Sequence, residues 1–416
     1  YEAPDLDYRM RERESTHGDV INSTPYYVDL VNDHAVEKPV LVYGANDGMV
    51  HVVDAANGEE IMAYVPSQVY QGLNALTKST YNHKYFVDGG IAGFSEESGN
   101  TTKTTVVGTL GTGFKGLYAI DVSDMSSPNK NKILWEIDTD TTGYSGIGYT
   151  REEPTIAKLA NGKVGVIFAN GYNSSDDEGQ IFIADLEDGS LIKALKTGVG
   201  SAQDPTGQNR PNALASPAAV DKDGDGVVDR IYAGDLFGNM WVFDLTGSSS
   251  ADWDLATTDG KPLFTAVSPT KLDVLSHTAQ AITTRPAVGP HPYGLSHGVL
   301  VAFGTGKYIE NGDNNFIGEP TQTVYAIWDK LNGSYVSDSR STVDGEEVYS
   351  SLLRQAIIEE DAKNRLLTEY VIDWGTHKGW YLDLVNSEGG NTNNYGERQV
   401  TNTLLLFTTK IKVRRM

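Results

Sequence analysis

The sequence predicts an all-β chain folded as a β-propeller, and three observations predict it. Short strand-like runs recur along 416 residues, 44 of them glycine, with Val and Tyr concentrated in the runs. Many short strands punctuated by turn residues read as a sandwich, barrel or propeller. Two signatures then repeat in a fixed order, at about 60–65 residues per copy. Repetition at this scale marks stacked supersecondary units, and blades of four strands are the β version. Usual blades take ~40–50 residues, so long insertions are expected between strands.

The first signature is a proline at the head of a run: Pro25-Tyr26-Tyr27-Val28, Pro154-Thr155-Ile156-Ala157, Pro217-Ala218-Ala219-Val220 and Pro286-Ala287-Val288. Proline is tolerated at the first residue of a strand, where no ladder N–H is required. The second is an apolar run closed by aspartate: Val50 to Asp54, Leu117 to Asp121, Ile181 to Asp185 and Met240 to Asp244, with a degenerate copy from Val324 to Asp329. Gly48, Gly116, Gly179 and Gly238 stand just upstream of the first four. This pattern predicts five clear blades and a partial sixth that includes Gly379 to Leu384, in a propeller of about six to seven blades. A β-sandwich with long loops accounts for the recurring Pro and Asp less well.

Residues 1–17 read as a charged lead-in, and 18–416 as a single propeller domain. Helix signals are few. Ser67 to Leu76 follows Pro66 and offers Ser67 as a cap, and Tyr349 to Arg365 is rich in Leu, Ala and Glu. Flexible inserts are expected at Ser248 to Ser250, Asn311 to Asn315 and Gly389 to Asn391. Thr403 to Thr409 reads as a last strand, with its blade cut short. The chain begins at Tyr1 without a signal peptide, which suggests a processed piece of something longer.

The formal charge is −23. Phosphate backbones and anionic membranes both need basic patches, so nucleic acid and membrane surfaces are poor partners. No run of eighteen apolar residues offers a membrane span. Cysteine is absent, which removes disulfides and thiolate chemistry.

The chemistry concentrates in Asp221-Lys222-Asp223-Gly224-Asp225-Gly226-Val227-Val228-Asp229. Its carboxylates stand at positions 1, 3, 5 and 9, and its two glycines let the backbone turn back on itself. Carboxylate and carbonyl oxygens in a loose shell suit calcium. Asp221, Asp223, Asp225 and Asp229 supply side-chain oxygens in this reading, and Val227 its backbone carbonyl. An EF-hand would need a bidentate Glu at position 12, and Tyr232 stands there. The apolar flanks make the loop a clamp at the tip of a β-hairpin. The metal-free alternative is an Asp/Gly turn, whose aspartates would repel one another unless neutralised.

Other motifs are decoys. Gly111 to Gly116 matches G-x-G-x-x-G, but a strand-like run follows where a dinucleotide site needs a helix. Gly294 to Gly298 matches G-x-S-x-G, again ahead of a strand rather than the helix of a nucleophile elbow. The eight histidines contain no H-E-x-x-H and no i, i+4 pair, an expectation against zinc.

Several segments together resemble the C-terminal domain of the PilY1 family of type IV pilus biogenesis proteins. They include Gly18 to Pro25, Tyr43 to His51, Ala63 to Ser67, Tyr85 to Gly89, Gly304 to Tyr308, Lys378 to Leu384 and Gly396 to Arg398, in the family's order. The resemblance implies a modified β-propeller, with calcium held by Asp221, Asp223, Asp225, Val227 and Asp229. It implies a non-enzymatic protein exported to the cell surface, outer membrane or pilus tip. There calcium would tune pilus extension against retraction, supporting adhesion and twitching motility. Pilins or minor pilins are the implied partners, with host or abiotic surfaces beyond them. The family's larger N-terminal region, often with a von Willebrand A-like domain, has no counterpart in these residues, and no Arg-Gly-Asp tripeptide occurs. Two rival readings are a calcium-dependent quinoprotein dehydrogenase, whose propeller holds its ion centrally beside a quinone, and a scaffold with incidental calcium.

Overall fold

A computed structural model describes residues 10–404, apart from 29–30, 33–34, 37–38, 100, 270–278, 316–319, 344–345, 361–363 and 386–395. The chain divides into two compact units. The first takes 1–157, 164–175 and 182–192, and the second takes 158–163, 176–181 and 193–416.

In the first unit, Tyr26–Val28, Val40–Gly44, Val50–Asp54 and Glu60–Tyr64 form a four-stranded sheet in chain order. Every pairing in it is antiparallel. A second antiparallel sheet follows from Ile91–Ser98, Thr101–Thr109, Leu117–Asp121 and Ile133–Ile137. Val50–Asp54 is buried at every position, as is most of Leu117–Asp121. Such strands lose the alternation of a half-exposed sheet because both faces are covered. Val42, Val52, Phe86, Val106, Tyr118 and Ile120 share one core cluster.

Thr155–Leu159, Val164–Ala169, Gln180–Asp185 and Leu191–Lys196, with Val227–Val228 paired on Thr155–Leu159, are the strands of a third sheet. The second unit adds a sheet of Ala218–Val220, Arg230–Gly234, Asn239–Asp244 and Asp254–Leu255, with Phe264–Thr265 also pairing on Asn239–Asp244. Its other large sheet orders Ala287–Pro290, Val299–Gly304, Thr323–Asp329, Gly379–Asp383 and Leu353–Gln355. Tyr232, Val242, Phe264, Phe303, Tyr325, Ile327 and Tyr381 belong to the core of this unit.

Both sequence signatures fall on observed strands. Each of the four prolines immediately precedes a strand or its first residues, and each apolar run is a strand ending at its aspartate. The aspartates have a common task. Asp54, Asp121, Asp185, Asp244 and Asp329 each accept, on Oδ1, the backbone N–H two residues on, at 2.8, 2.9, 2.9, 2.9 and 2.7 Å. This Asx turn ends the strand and starts the reversal into the next one.

Four expectations need correction. Gly379–Asp383 does not begin a sixth blade; it pairs with Thr323–Asp329 in the last large sheet, the intervening residues being an insertion. Five sheets of four or five strands are therefore seen among the described residues. The described residues of Tyr349 to Arg365 form no helix. Leu353–Gln355 runs parallel to Gly379–Asp383 at the edge of the last large sheet, and Ile357–Glu360 pairs with Arg365–Leu367 in a separate two-stranded hairpin, so strand pairing overrides local propensity. Ser67–Thr77 is a 3₁₀ helix rather than α, opened by Val69 N–H donating to the Pro66 carbonyl at 3.0 Å. Ser67 does not cap it, because its N–H and hydroxyl both donate to Glu136. Around Ser248 to Ser250 the chain is ordered, with Ser249 capping a short 3₁₀ turn ahead of the buried Trp253. Asn311 to Asn315 is a turn, whereas Gly389 to Asn391 and most of Thr403 to Thr409 lie outside the described residues.

Asp235 is a fully buried carboxylate. It accepts from Phe237 and Asn239 N–H, Asn212 and Asn239 Nδ2, and Trp241 Nε1, at 2.8–3.0 Å. Complete burial raises its pKa despite these donors. Asp235→Ala is expected to cost at least about 3 kcal/mol, since it strands several buried donors at once. Urea unfolding of the chain measures this, and an unchanged midpoint would show that water replaces the carboxylate.

Candidate metal centre

The calcium-type loop joins Ala218–Val220 to Arg230–Gly234, whose antiparallel register places Val220 opposite Arg230. It is thus a hairpin tip, as its apolar flanks predict. Asp229 N–H donates to the Val220 carbonyl at 2.9 Å and closes the base. One feature has no signal in the local pattern: Val227–Val228 forms a short parallel pairing with Lys158–Leu159. The second half of the loop is therefore fixed by a segment some seventy residues earlier.

Inside the loop, Asp221 organises the backbone. Its Oδ1 accepts Gly224 N–H at 2.6 Å and its Oδ2 accepts Gly226 N–H at 2.7 Å. Asp225 Oδ1 accepts Val227 N–H at 2.8 Å. Gly224 and Gly226 have φ of +81° and +84°, which β-carbon-bearing residues rarely adopt. The hydrogen bonds from Gly226 and Gly224 hold the Asp221 carboxyl below its usual pKa, so it is ionised at neutral pH.

Carboxylate oxygens of Asp221, Asp223 and Asp225 lie within 4.8 Å of one another. Calcium–oxygen distances of 2.3–2.6 Å allow oxygens of one shell up to about 5 Å apart, so these three residues fit one ion. Asp229 stands apart from this group. Its Oδ2 accepts Lys222 N–H at 2.8 Å, and its Oδ1 faces Lys222 Nζ at 3.2 Å. The ammonium of Lys222, the non-aspartate at position 2, neutralises the carboxylate at position 9. Sequence reasoning assigned Lys222 no role, although its placement inside an acidic loop was the available signal.

Below the loop lies a buried ion pair. Arg230, 5% exposed, donates from Nη1 to Asp329 Oδ2 at 3.1 Å and from Nη2 to the Leu331 carbonyl at 3.2 Å. Tyr232 donates its hydroxyl to the same Asp329 oxygen at 2.7 Å. Burial, then the Asp329 charge, raises the Tyr232 pKa well above its ordinary value and keeps the donor protonated. Arg230 and Tyr232, just after the loop, are therefore pinned, while Asp223 and Asp225 reach toward solvent.

The decoy motifs sit as their flanks predict. Gly111 to Gly116 leads into the strand Leu117–Asp121, and Gly294 to Gly298 contains one 3₁₀ turn before the strand Val299–Gly304. Neither presents the helix N-terminus its chemistry requires.

A family model described as the PilY1 beta-propeller domain matches residues 17–369, a span containing the whole loop. The chain belongs to the PilY1 family. It is 34% identical to the type IV pilus biogenesis factor PilY1 of Pseudomonas aeruginosa strain PAO1, over 90% of this chain and 35% of that protein. It is also 34% identical to a PilY1 homolog of Xylella fastidiosa, over 87% of this chain and 23% of that one. The chain thus spans about a third or less of the curated PilY1 proteins it matches. Among solved structures, the crystal structure of the P. aeruginosa PilY1 C-terminal domain superposes with a TM-score of 0.69 at 31% identity, covering 90% of this chain and 76% of that one. The modified β-propeller expected from the resemblance is the fold of this family member.

Removing one partner of a buried pair leaves the other charge uncompensated. Arg230→Ala is accordingly expected to destabilise the chain by about 3–5 kcal/mol. Asp329→Ala should cost a similar amount, and the double variant less than the two losses added. Urea denaturation of the three variants measures the coupling; strict additivity would mean the two side chains act independently.

Proposed function

We propose that this chain is the calcium-responsive propeller of a type IV pilus biogenesis factor. The observation that carries the reading is the convergence of Asp221, Asp223 and Asp225 on a rigid hairpin base. Family membership supports the pilus role, since the curated relatives bear the name type IV pilus biogenesis factor.

In this reading calcium is held by Asp221, Asp223 and Asp225, by the Val227 carbonyl, and by Asp229 after it leaves Lys222. The ion supplies charge neutralisation and no chemistry of its own. The chain's residues do the rest: Gly224 and Gly226 shape the turn, and the Arg230–Asp329 pair keeps the base still while the tip responds. Extracellular calcium modules bind at about 10⁻⁴–10⁻³ M, a range in which ambient calcium would set occupancy. The state of the loop would then bias contacts with pilins or minor pilins, and so extension against retraction, adhesion and twitching. A non-catalytic role is supported by the names of the relatives and by the two enzyme-like motifs lying on turns that lead into strands. Export to the cell surface is part of the same proposal. No helix among the described residues is long and apolar enough to cross a membrane.

Calorimetric titration with calcium is expected to show one site per chain. Asp221→Ala should abolish it, because that change removes a ligand and also frees the Gly224 and Gly226 N–H groups. Asp229→Ala should weaken binding at least tenfold, with the circular dichroism spectrum retained. Unaltered affinity in Asp229→Ala would mean that Asp229 belongs to Lys222 alone. In the bacterium of origin, Asp221→Ala introduced into the full-length protein should change the number of surface pili or their retraction. Identical pili and twitching at low and high calcium, in both strains, would leave the ion a purely structural role.

A further inference from the structure

Histidine spacing in the sequence offers no zinc motif, but the fold of the first unit assembles one. His51 lies on the strand Val50–Asp54, and Asp47 in the turn just before it. Both are buried, at 2% and 6% exposure. His17 arrives from the lead-in segment and stacks on His51, with ring centroids 4.6 Å apart and planes at 26°. One ligating atom from each of His17, Asp47 and His51 lies within 4.8 Å of the other two.

The outer contacts of these side chains point the same way. His17 Nδ1 is 2.6 Å from the Gly18 carbonyl, which can only accept, so Nδ1 carries the proton and Nε2 presents its lone pair. The hydroxyl of Tyr43 meets that Nε2 at 3.0 Å. His51 Nδ1 is held by the exposed carboxylate of Glu60 at 2.7 Å, leaving Nε2 toward Asp47 Oδ2 at 3.2 Å. Asp47 is itself fixed by Gly18 N–H on Oδ2 at 2.7 Å and Met49 N–H on Oδ1 at 3.0 Å. Metal-binding imidazoles are typically oriented in this way, by a carbonyl or carboxylate on the far nitrogen, and ligating carboxylates by further hydrogen bonds.

We propose that His17 Nε2, His51 Nε2 and the Asp47 carboxylate bind a divalent transition-metal ion of the zinc class. Two imidazoles and one carboxylate suit such an ion better than calcium, which prefers oxygen alone. Ligand atoms in a tetrahedral zinc shell stand about 3.4 Å apart. The His51–Asp47 spacing already matches, and the exposed His17 closes the rest by giving up Tyr43. Bound there, the ion fastens the lead-in segment to the first sheet. The site shares no residue with the loop at 221–229.

Zinc chloride titrated calorimetrically into the chain, with calcium saturating, tests the proposal. One zinc per chain is expected. His17→Ala, an exposed change, should weaken zinc binding at least tenfold, and Glu60→Gln about 10–100-fold, as expected when an outer partner is lost. Asp221→Ala should leave zinc affinity unaltered, so the outcome is independent of the calcium reading. If buried His51 or Asp47 variants misfold, His17→Ala and Glu60→Gln still decide. Absence of zinc uptake, or equal affinity in wild type and His17→Ala, would reduce the cluster to an ion pair between His51 and its two carboxylates.

Discussion

The aspartate that ends each long central strand is the constraint on which the rest of this structure depends. A strand buried on both faces cannot signal its own end through alternation. The Asx turn does so instead, by taking up a backbone N–H that the ladder no longer serves. Five copies of the same short hydrogen bond return the chain toward the next strand at matching points. Loops beyond these turns can then grow without disturbing the sheets. The last copy has acquired a second task, since Asp329 also receives Arg230 and Tyr232.

That second task explains how an exposed acidic loop is well placed. Its base is tied by Arg230 to a buried carboxylate and by Val227–Val228 to an earlier segment. Its tip contains closely spaced carboxylates whose mutual repulsion is relieved only in part, by the N–H groups on Asp221 and by Lys222 on Asp229. In the calcium reading proposed above, a divalent ion would compete with the lysine for Asp229. The affinity would then include the cost of parting that ion pair, which is small for a partly exposed pair. Selection could tune it through position 222 without touching a ligand.

The cluster at His17, Asp47 and His51 follows a different logic. Its ligands come from a segment before the first strand, a turn and a buried strand, and each is held from behind by a hydrogen bond that local sequence does not specify. The same strand position in the fourth sheet carries Trp241, whose indole N–H bonds the buried Asp235. One location in the repeat thus serves packing in one blade and polar chemistry in another.

Local signals were sufficient wherever the determining contacts are short in sequence. The prolines, the apolar runs closed by aspartate, the hairpin flanks of 221–229 and the strands after the two glycine motifs all report interactions spanning a few residues, so composition and spacing determined them. What the tertiary structure alone decided depends on partners far along the chain. Leu353–Gln355 became a strand because a sheet edge took it, and Gly379–Asp383 joined an existing sheet across a long insertion. Ser67 turned to Glu136, and His17 found His51. Propensity is a sum over neighbours in sequence, whereas a hydrogen bond or a metal ligand is a meeting in space, and only folding brings such meetings about.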